Sequence, residues 1–299
     1  MGSFVQRKLD VVFTLTSGTF NGNKYDQVVI KDTRVRCVVD YPGSESMGSA
    51  TIQIYGMSKA LMDRLTVYPM SANAITKSHV TIKAGTTEND MSVIFDGQIF
   101  KAYADYSSAP DVSFNVDAIV ALVANLKPVD ALSFEGSVKV ETIAEKIAEQ
   151  LGAKLINESV DGYLTDASFR GTATEKLWKL RKSANIDVYY QYQSDYPVLR
   201  ICKKGYPINS QYVPIIAPET GLVGWPMPDG AGFCYIDVLF NPSIAHGGEI
   251  DVKSDYPNAD GTWYVLSMVH KLESQLPGGA WMTKIIAGRL QNSVRSWQH

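Results

Sequence analysis

Gly261-Thr-Trp-Tyr-Val-Leu-Ser-Met-Val-His270 decides how the last third of this 299-residue chain is read. Aromatic and β-branched residues fill it without helical spacing, so it reads as a strand. Trp263, Val265, Ser267 and Val269 fall on one side, and Tyr264, Leu266 and Met268 on the other. Both faces can bury apolar area, as expected of a strand packed in its own domain and against a partner. The neighbouring stretches Tyr235–Leu239, Gly248–Lys253 and Trp281–Gly288 are also strands by pattern, with Gly or Pro between each adjacent pair.

Working outward, the first hundred residues are β as well. Leu9, Val11, Phe13 and Leu15 alternate with Asp10, Val12, Thr14 and Thr16. A Gly22-Asn23 turn leads to Gln27–Ile30 and Thr33–Val39, and a Pro42-Gly43 turn leads to Ser49–Tyr55. Ser58 is placed to cap a short helix carrying Leu61, Met62 and Leu65, which ends before Pro69. Strands resume at His79–Ala84, Ser92–Phe95, Gln98–Phe100 and Asp111–Val116. Several short strands with one inserted helix predict a barrel or sandwich.

The middle changes period. Val140, Ile143, Ala144, Ile147 and Leu151 follow helical spacing, Gly152 sits where a left-handed C′ residue belongs, and Lys154–Ile156 reads as a strand. Thr172-Ala-Thr-Glu175 is a capping box opening a second helix through Leu177, Leu180 and Ala184 to Asn185. The strands Ile186–Tyr192 and Pro197–Cys202 follow, joined at Ser194-Asp195. Two helix–cap–strand units make a small α/β domain between two β segments, and the boundaries are placed at 1–129, 130–205 and 206–299.

Composition excludes several classes. With 45% apolar residues, 20% charged and a net charge of −3, the chain is neither a basic nucleic-acid binder nor an acidic disordered tail. Its 16 tyrosines suit half-buried strands and interfaces. The N-terminus lacks an apolar signal core and no stretch of about 18 apolar residues occurs, so a soluble protein made in a cytosol is expected. Cys37, Cys202 and Cys234 are far apart and read as free buried thiols.

Catalytic signatures fail. His79, His246, His270 and His299 stand in no H-E-x-x-H or H-x-x-x-H spacing, and no cysteine is near enough in sequence to complete a zinc site. Gly18–Asn23 is flanked by strands and reads as a hairpin turn rather than a phosphate cradle. Asp161 and Asp166 resemble solvated loop acids. Lys203-Lys204 and Lys179/Arg181-Lys182 are too few for a nucleic-acid stripe. The expectation is a non-enzyme with no cofactor and no metal.

One further set of residues carries a resemblance. Gly221-Leu-Val-Gly-Trp-Pro226 precedes Phe233–Pro242, with its Asn241-Pro242 turn. Glu249-Ile-Asp-Val252, Gly261–His270 and Gly278-Gly-Ala-Trp-Met-Thr–Ala287 follow in order. This order resembles the C-terminal barrel of the Mu-like and T4-like phage baseplate hub family. Thr51-Ile-Gln-Ile-Tyr-Gly-Met-Ser58 and Phe95-Asp-Gly-Gln-Ile99 are similar to that family's first barrel, with Gly56 a small departure from its Asn-Leu. The resemblance spans nearly the whole chain.

What it implies is a mainly β fold: two tail-tube-like β-barrel domains flanking an α/β insert with two helices. The family-motif and packing residues it marks are Gly224, Trp225, Pro226, Asn241, Pro242, Trp263, His270 and Trp281. Trp225 and Trp263 are assigned to barrel packing, and removing either is expected to prevent assembly. It further implies a homotrimer whose six barrels adapt a sixfold tail tube to a threefold spike, with DNA passing an unspecific lumen. Implied partners are a tail tube or distal tube protein, a separate spike protein, baseplate wedge proteins and the tape measure protein. The implied setting is a contractile-tail baseplate, made in the host bacterial cytoplasm and acting in genome ejection. A contractile injection system or a non-contractile tail fits equally. Two other classes stay open at this stage: a carbohydrate-binding or adhesin β protein, and a cell-wall hydrolase with an unrecognised carboxylate pair.

Overall fold

A computed structural model describes residues 6–15, 26–43, 45–68, 78–87, 91–193, 196–209 and 212–289. The Gly18–Asn23 and Ser194-Asp195 turns, Pro69 and His299 lie outside the described residues. Contacts divide the chain into two compact units. One comprises Met1–Tyr41, Met47–Val123 and Val269–Thr283; the other comprises Pro42–Ser46, Ala124–Met268 and Lys284–His299.

The first unit is an antiparallel sheet. Its strands are β1 (Arg7–Thr14), β2 (Gln27–Ile30), β3 (Val35–Tyr41), β4 (Ser49–Tyr55), β5 (His79–Thr86), β6 (Ser92–Asp105) and β7 (Ser113–Ile119). Hydrogen-bonded neighbours run β3-β4-β7-β6-β5-β1-β2. Period-two burial follows the sequence pattern. Leu9, Val11 and Phe13 on β1 and Val35, Cys37 and Val39 on β3 point inward, with more exposed residues between them. Helix α1 (Lys59–Leu65) is capped by Ser58, whose Oγ accepts from the Leu61 amide at 3.4 Å, and it buries Met62 and Leu65.

Two irregularities curl this sheet. Partners jump from Ile82↔Phe95 to Lys83↔Val93, and from Ile99↔Ala118 to Lys101↔Asp117, so Ile94 and Phe100 are extra residues on β6. Each such bulge bends its strand and increases the local twist. Gly97 lies between them because a Cβ there would meet the Phe95 ring at 2.6 Å. Curling brings β1 and β7 face to face although β5 and β6 separate them in the ladder. The Phe13 and Phe114 rings meet edge-on with centroids 6.4 Å apart.

The expectation of closed barrels is corrected here. Among the described residues β2 pairs with β1 alone, and its four residues cover only Val11–Thr14 of that strand. A barrel needs a continuous ladder around its circumference. Here the Arg7 half of β1 reaches across with a side chain instead, Nη1 donating to the Gly279 carbonyl at 2.7 Å. The result is a rolled open sheet.

Helix α2 (Leu122–Leu126) begins in the first unit and ends in the second, where the short strands β8 (Leu132–Ser133) and β9 (Ser137–Lys139) follow. Then α3 (Val140–Leu151), β10 (Lys154–Glu158), β11 (Tyr163–Thr165), β12 (Ser168–Phe169), α4 (Ala173–Ala184), β13 (Ile186–Gln193) and β14 (Tyr196–Lys203) build the α/β part. The two expected helices, both caps and the strands after them are present. Gly152 and Asn185 end α3 and α4 in the left-handed conformation. The Thr172 Oγ1 accepts from the Glu175 amide at 3.2 Å, while Glu175 Oε2 accepts from the Thr172 amide at 2.8 Å. The sheet order is β10-β14-β13, with β10 parallel to β14. Lys176 is fully buried on α4, and its ammonium donates to the carbonyls of Val129 and Asp130 and to Gln150 Oε1. Those three acceptors make burial of the charge tolerable.

The rest of the second unit is β15 (Ile215–Ile216), β16 (Leu222–Pro228), β17 (Phe233–Leu239), β18 (Glu249–Val252) and parts of β19 (Gly261–Ser274) and β20 (Trp281–Arg289). The other parts of β19 and β20 belong to the first unit. Along β19 the burial pattern changes: Trp263, Tyr264 and Val265 are buried in succession, then Met268, His270, Leu272 and Ser274 alternate with more exposed residues. Thr172→Ala is expected to weaken α4 by about 1 kcal/mol. Faster amide exchange across residues 173–184, with α3 unchanged, is the check.

Candidate functional site

The surface that stands out is built on β16 and β17. They pair as Leu222↔Val238 and Val223↔Asp237, then resume at Met227↔Tyr235 and Pro228↔Cys234. Gly224, Trp225 and Pro226 thus oppose the single residue Ile236. Gly224 takes φ +71°, a left-handed conformation that suits glycine. The bulge turns the Trp225 indole outward, to 67% exposure, while Pro226 goes inward. Proline, which has no amide hydrogen, is tolerated at such a bulge on an edge strand.

Along β17 Cys234, Ile236 and Val238 are buried, and Phe233, Tyr235 and Leu239 are exposed. With Val223, Trp225 and Met227 on β16 and Ile286 on β20, they leave a large apolar area uncovered. A single ion pair crosses it among the described residues, Lys284 Nζ to Asp237 Oδ2 at 3.1 Å. Beside Trp225 opens a cavity of about 410 Å³, bordered by Glu219, Leu222, Lys253, Asp255 and Asp260.

The eight residues marked in the sequence do not converge on one site. Trp225 is corrected: too exposed to pack its own chain, it belongs to the surface. Trp263 is buried, its indole Nε1 donating to the Ala259 carbonyl at 2.9 Å and its ring facing the Arg289 guanidinium. Asn241 Oδ1 accepts from the Ser243 amide at 2.9 Å, which shapes the turn where Pro242 lies exposed. Trp281 is buried beneath the Arg7 guanidinium. His270 is buried with Nδ1 2.8 Å from Thr283 Oγ1. The strand β16 and its outward face were missed by the sequence reading, which took Gly221–Pro226 as a lead-in. The exposed sequence pair Trp225-x-Met227 was the available signal.

Elsewhere the reactive side chains have structural surroundings. Burial pushes the Cys37 and Cys202 thiols up to about 12 and Cys234 up to about 11, so they stay protonated. Asp166 Oδ1 accepts from the Gly136 amide at 2.8 Å, and Asp161 is a solvated acid 3.4 Å from Lys203. His79 lies 3.3 Å from Asp96, which also accepts from Thr81. Among the described residues no group of three His, Cys, Asp or Glu side chains could hold a metal ion. No helix among them is long and apolar enough to cross a membrane.

The chain and its fold find a match in known proteins. The family described as Baseplate hub gp41 matches residues 8–277. The chain belongs to that family. As a baseplate hub it is a structural component of the phage tail, as the resemblance implied. Solved structures agree on the fold. A tail protein from Neisseria meningitidis MC58 is similar at TM-score 0.60 and 10% identity, over 94% of the hub chain and 96% of its own. The 43 kDa tail protein of prophage MuSo2 from Shewanella oneidensis gives 0.58 and 11%, over 94% and 96%. An E. coli component of the type VI secretion system, itself described as similar to T4 bacteriophage tail proteins gp27 and gp5, gives 0.59 and 10%, over 87% and 75%. No curated protein sequence matches the hub significantly.

Burial holds the His270 imidazole down to about 4, below its ordinary value near 6.5. A histidine depressed in the folded state takes up protons on unfolding, so its contribution is whole above about pH 6.5. It falls as the pH drops toward 4. At pH 5 the hub is expected to lose about 2 kcal/mol from this group. Thermal melts of wild type and His270→Gln between pH 7.5 and 5 check this, the variant showing the shallower decline.

Proposed function

We propose that three copies of this hub associate head to tail into a ring at the distal end of the tail. The ring joins a sixfold tube to a threefold spike and leaves a channel for DNA. The observation that carries this is the uncovered edge strand β16, with Trp225 and Met227 turned to solvent and Phe233 and Tyr235 beside it. Monomeric proteins blunt such edges with charge, and an apolar one is a template for another chain. Among the described residues the first unit has an unlike free edge, β2. Contact between two different edges is heterologous and closes into a ring when the rotation permits.

In this reading residues 1–129 and 206–299 supply the two tube-like halves of each subunit, with 130–205 as an insert facing the wedge proteins. The tube, spike and tape measure proteins are the remaining partners. The net charge of −3 per chain, tripled in the ring, suits a lumen past which phosphates slide without binding. Activity then resides in interfaces, and no catalytic step is required of the hub.

Native mass spectrometry tests the reading. Wild type is expected to run as a trimer, and Trp225→Ser with Met227→Ser as a folded monomer with an unchanged circular dichroism spectrum. A wild type that stays monomeric across the micromolar range, or a double variant that remains trimeric, overturns it.

A further inference from the structure

We infer that the cavity beside Trp225 is a socket for a basic side chain of a second copy of this chain, and that Lys31 is that side chain. This rests on the ring reading and specifies how one copy recognises the next.

Three carboxylates, Glu219, Asp255 and Asp260, border the cavity against one cation, Lys253. That cation is already engaged, its Nζ lying 2.8 and 3.0 Å from the two carboxylate oxygens of Asp251. The remaining field is negative, and the exposed Trp225 indole supplies a face that attracts a cation. An acidic rim with an aromatic wall fits an ammonium or guanidinium group carried on a long apolar stem. At about 410 Å³ the cavity has room for the whole side chain.

The donor is argued from the edges. The socket lies at the Leu222–Trp225 end of β16, which pairs with β17 alone among the described residues. Lys31 follows directly on β2, the free edge that ends the first unit's ladder, and its side chain is 59% exposed. Its Nζ lies 3.5 Å from Asp10 Oδ2, and with the lysine end largely in solvent such a pair holds it weakly. Joining β16 of one copy to β2 of the next therefore brings an acidic socket to a lysine that can exchange partners. Charge complementarity of this kind sets which edges meet and in which order.

Charge reversal tests the pairing. Glu219→Lys and Lys31→Glu are each expected to weaken association by about tenfold in sedimentation equilibrium at low salt. The double variant Lys31→Glu/Glu219→Lys is expected to recover most of that loss. All three should keep the wild-type circular dichroism spectrum, because both positions are exposed. A trimer insensitive to either single change overturns the socket and leaves the ring standing. Sensitive single variants without recovery in the double overturn Lys31 as the occupant. A wild type that does not associate overturns the ring reading, and the socket with it.

Discussion

Side chains on a strand alternate between its two faces, so a strand covered on both faces in one part and on one face in another changes its burial pattern along its length. β19 does this. Trp263, Tyr264 and Val265 are buried on both faces in its first half, and Met268, His270, Leu272 and Ser274 on one face afterwards. The two patterns are separated by the half-buried Leu266 and Ser267, shortly before the chain passes from one compact unit to the other after Met268. A continuous fourteen-residue strand is thus shared without giving up either core. The anchors differ on the two sides. Trp263 ties its indole to Ala259, whereas His270 meets Thr283 across the hairpin.

The same economy governs β6, where two extra residues let one long strand bend through the rolled sheet. Bending places Phe13 on Phe114 and lets a side chain, Arg7, span a gap that no ladder closes. An open roll keeps free edges. Free edges in a soluble chain are either protected or used. β16 is left apolar, with its bulge aiming Trp225 outward, and the proposed ring rests on this edge.

Several buried polar groups of the α/β part are paired. Lys176 has three oxygen acceptors, Arg200 meets Glu158 at 2.5 Å, and Asp187 accepts from Arg181 and the Gly205 amide. These contacts secure the α/β part and leave its acids and bases occupied.

Much was legible from sequence because it depends on local rules. The capping box at Thr172–Glu175, the left-handed Gly152 and Asn185, the Ser58 cap and the alternation of β1 and β3 each follow from a few neighbouring residues. The order of motifs from Gly221 to Ala287 was enough to point to the hub family. Tertiary structure decided what depends on distant partners. Whether the sheets close, which parity of β19 is buried at each point, and that β10 pairs with β14 rather than β13 are long-range outcomes. Trp225 and Trp263 show the division most plainly. Both are tryptophans beside glycine-rich turns, and sequence treats them alike. A bulge against Ile236 sends one to solvent, and pairing with Ile250 draws the other inside.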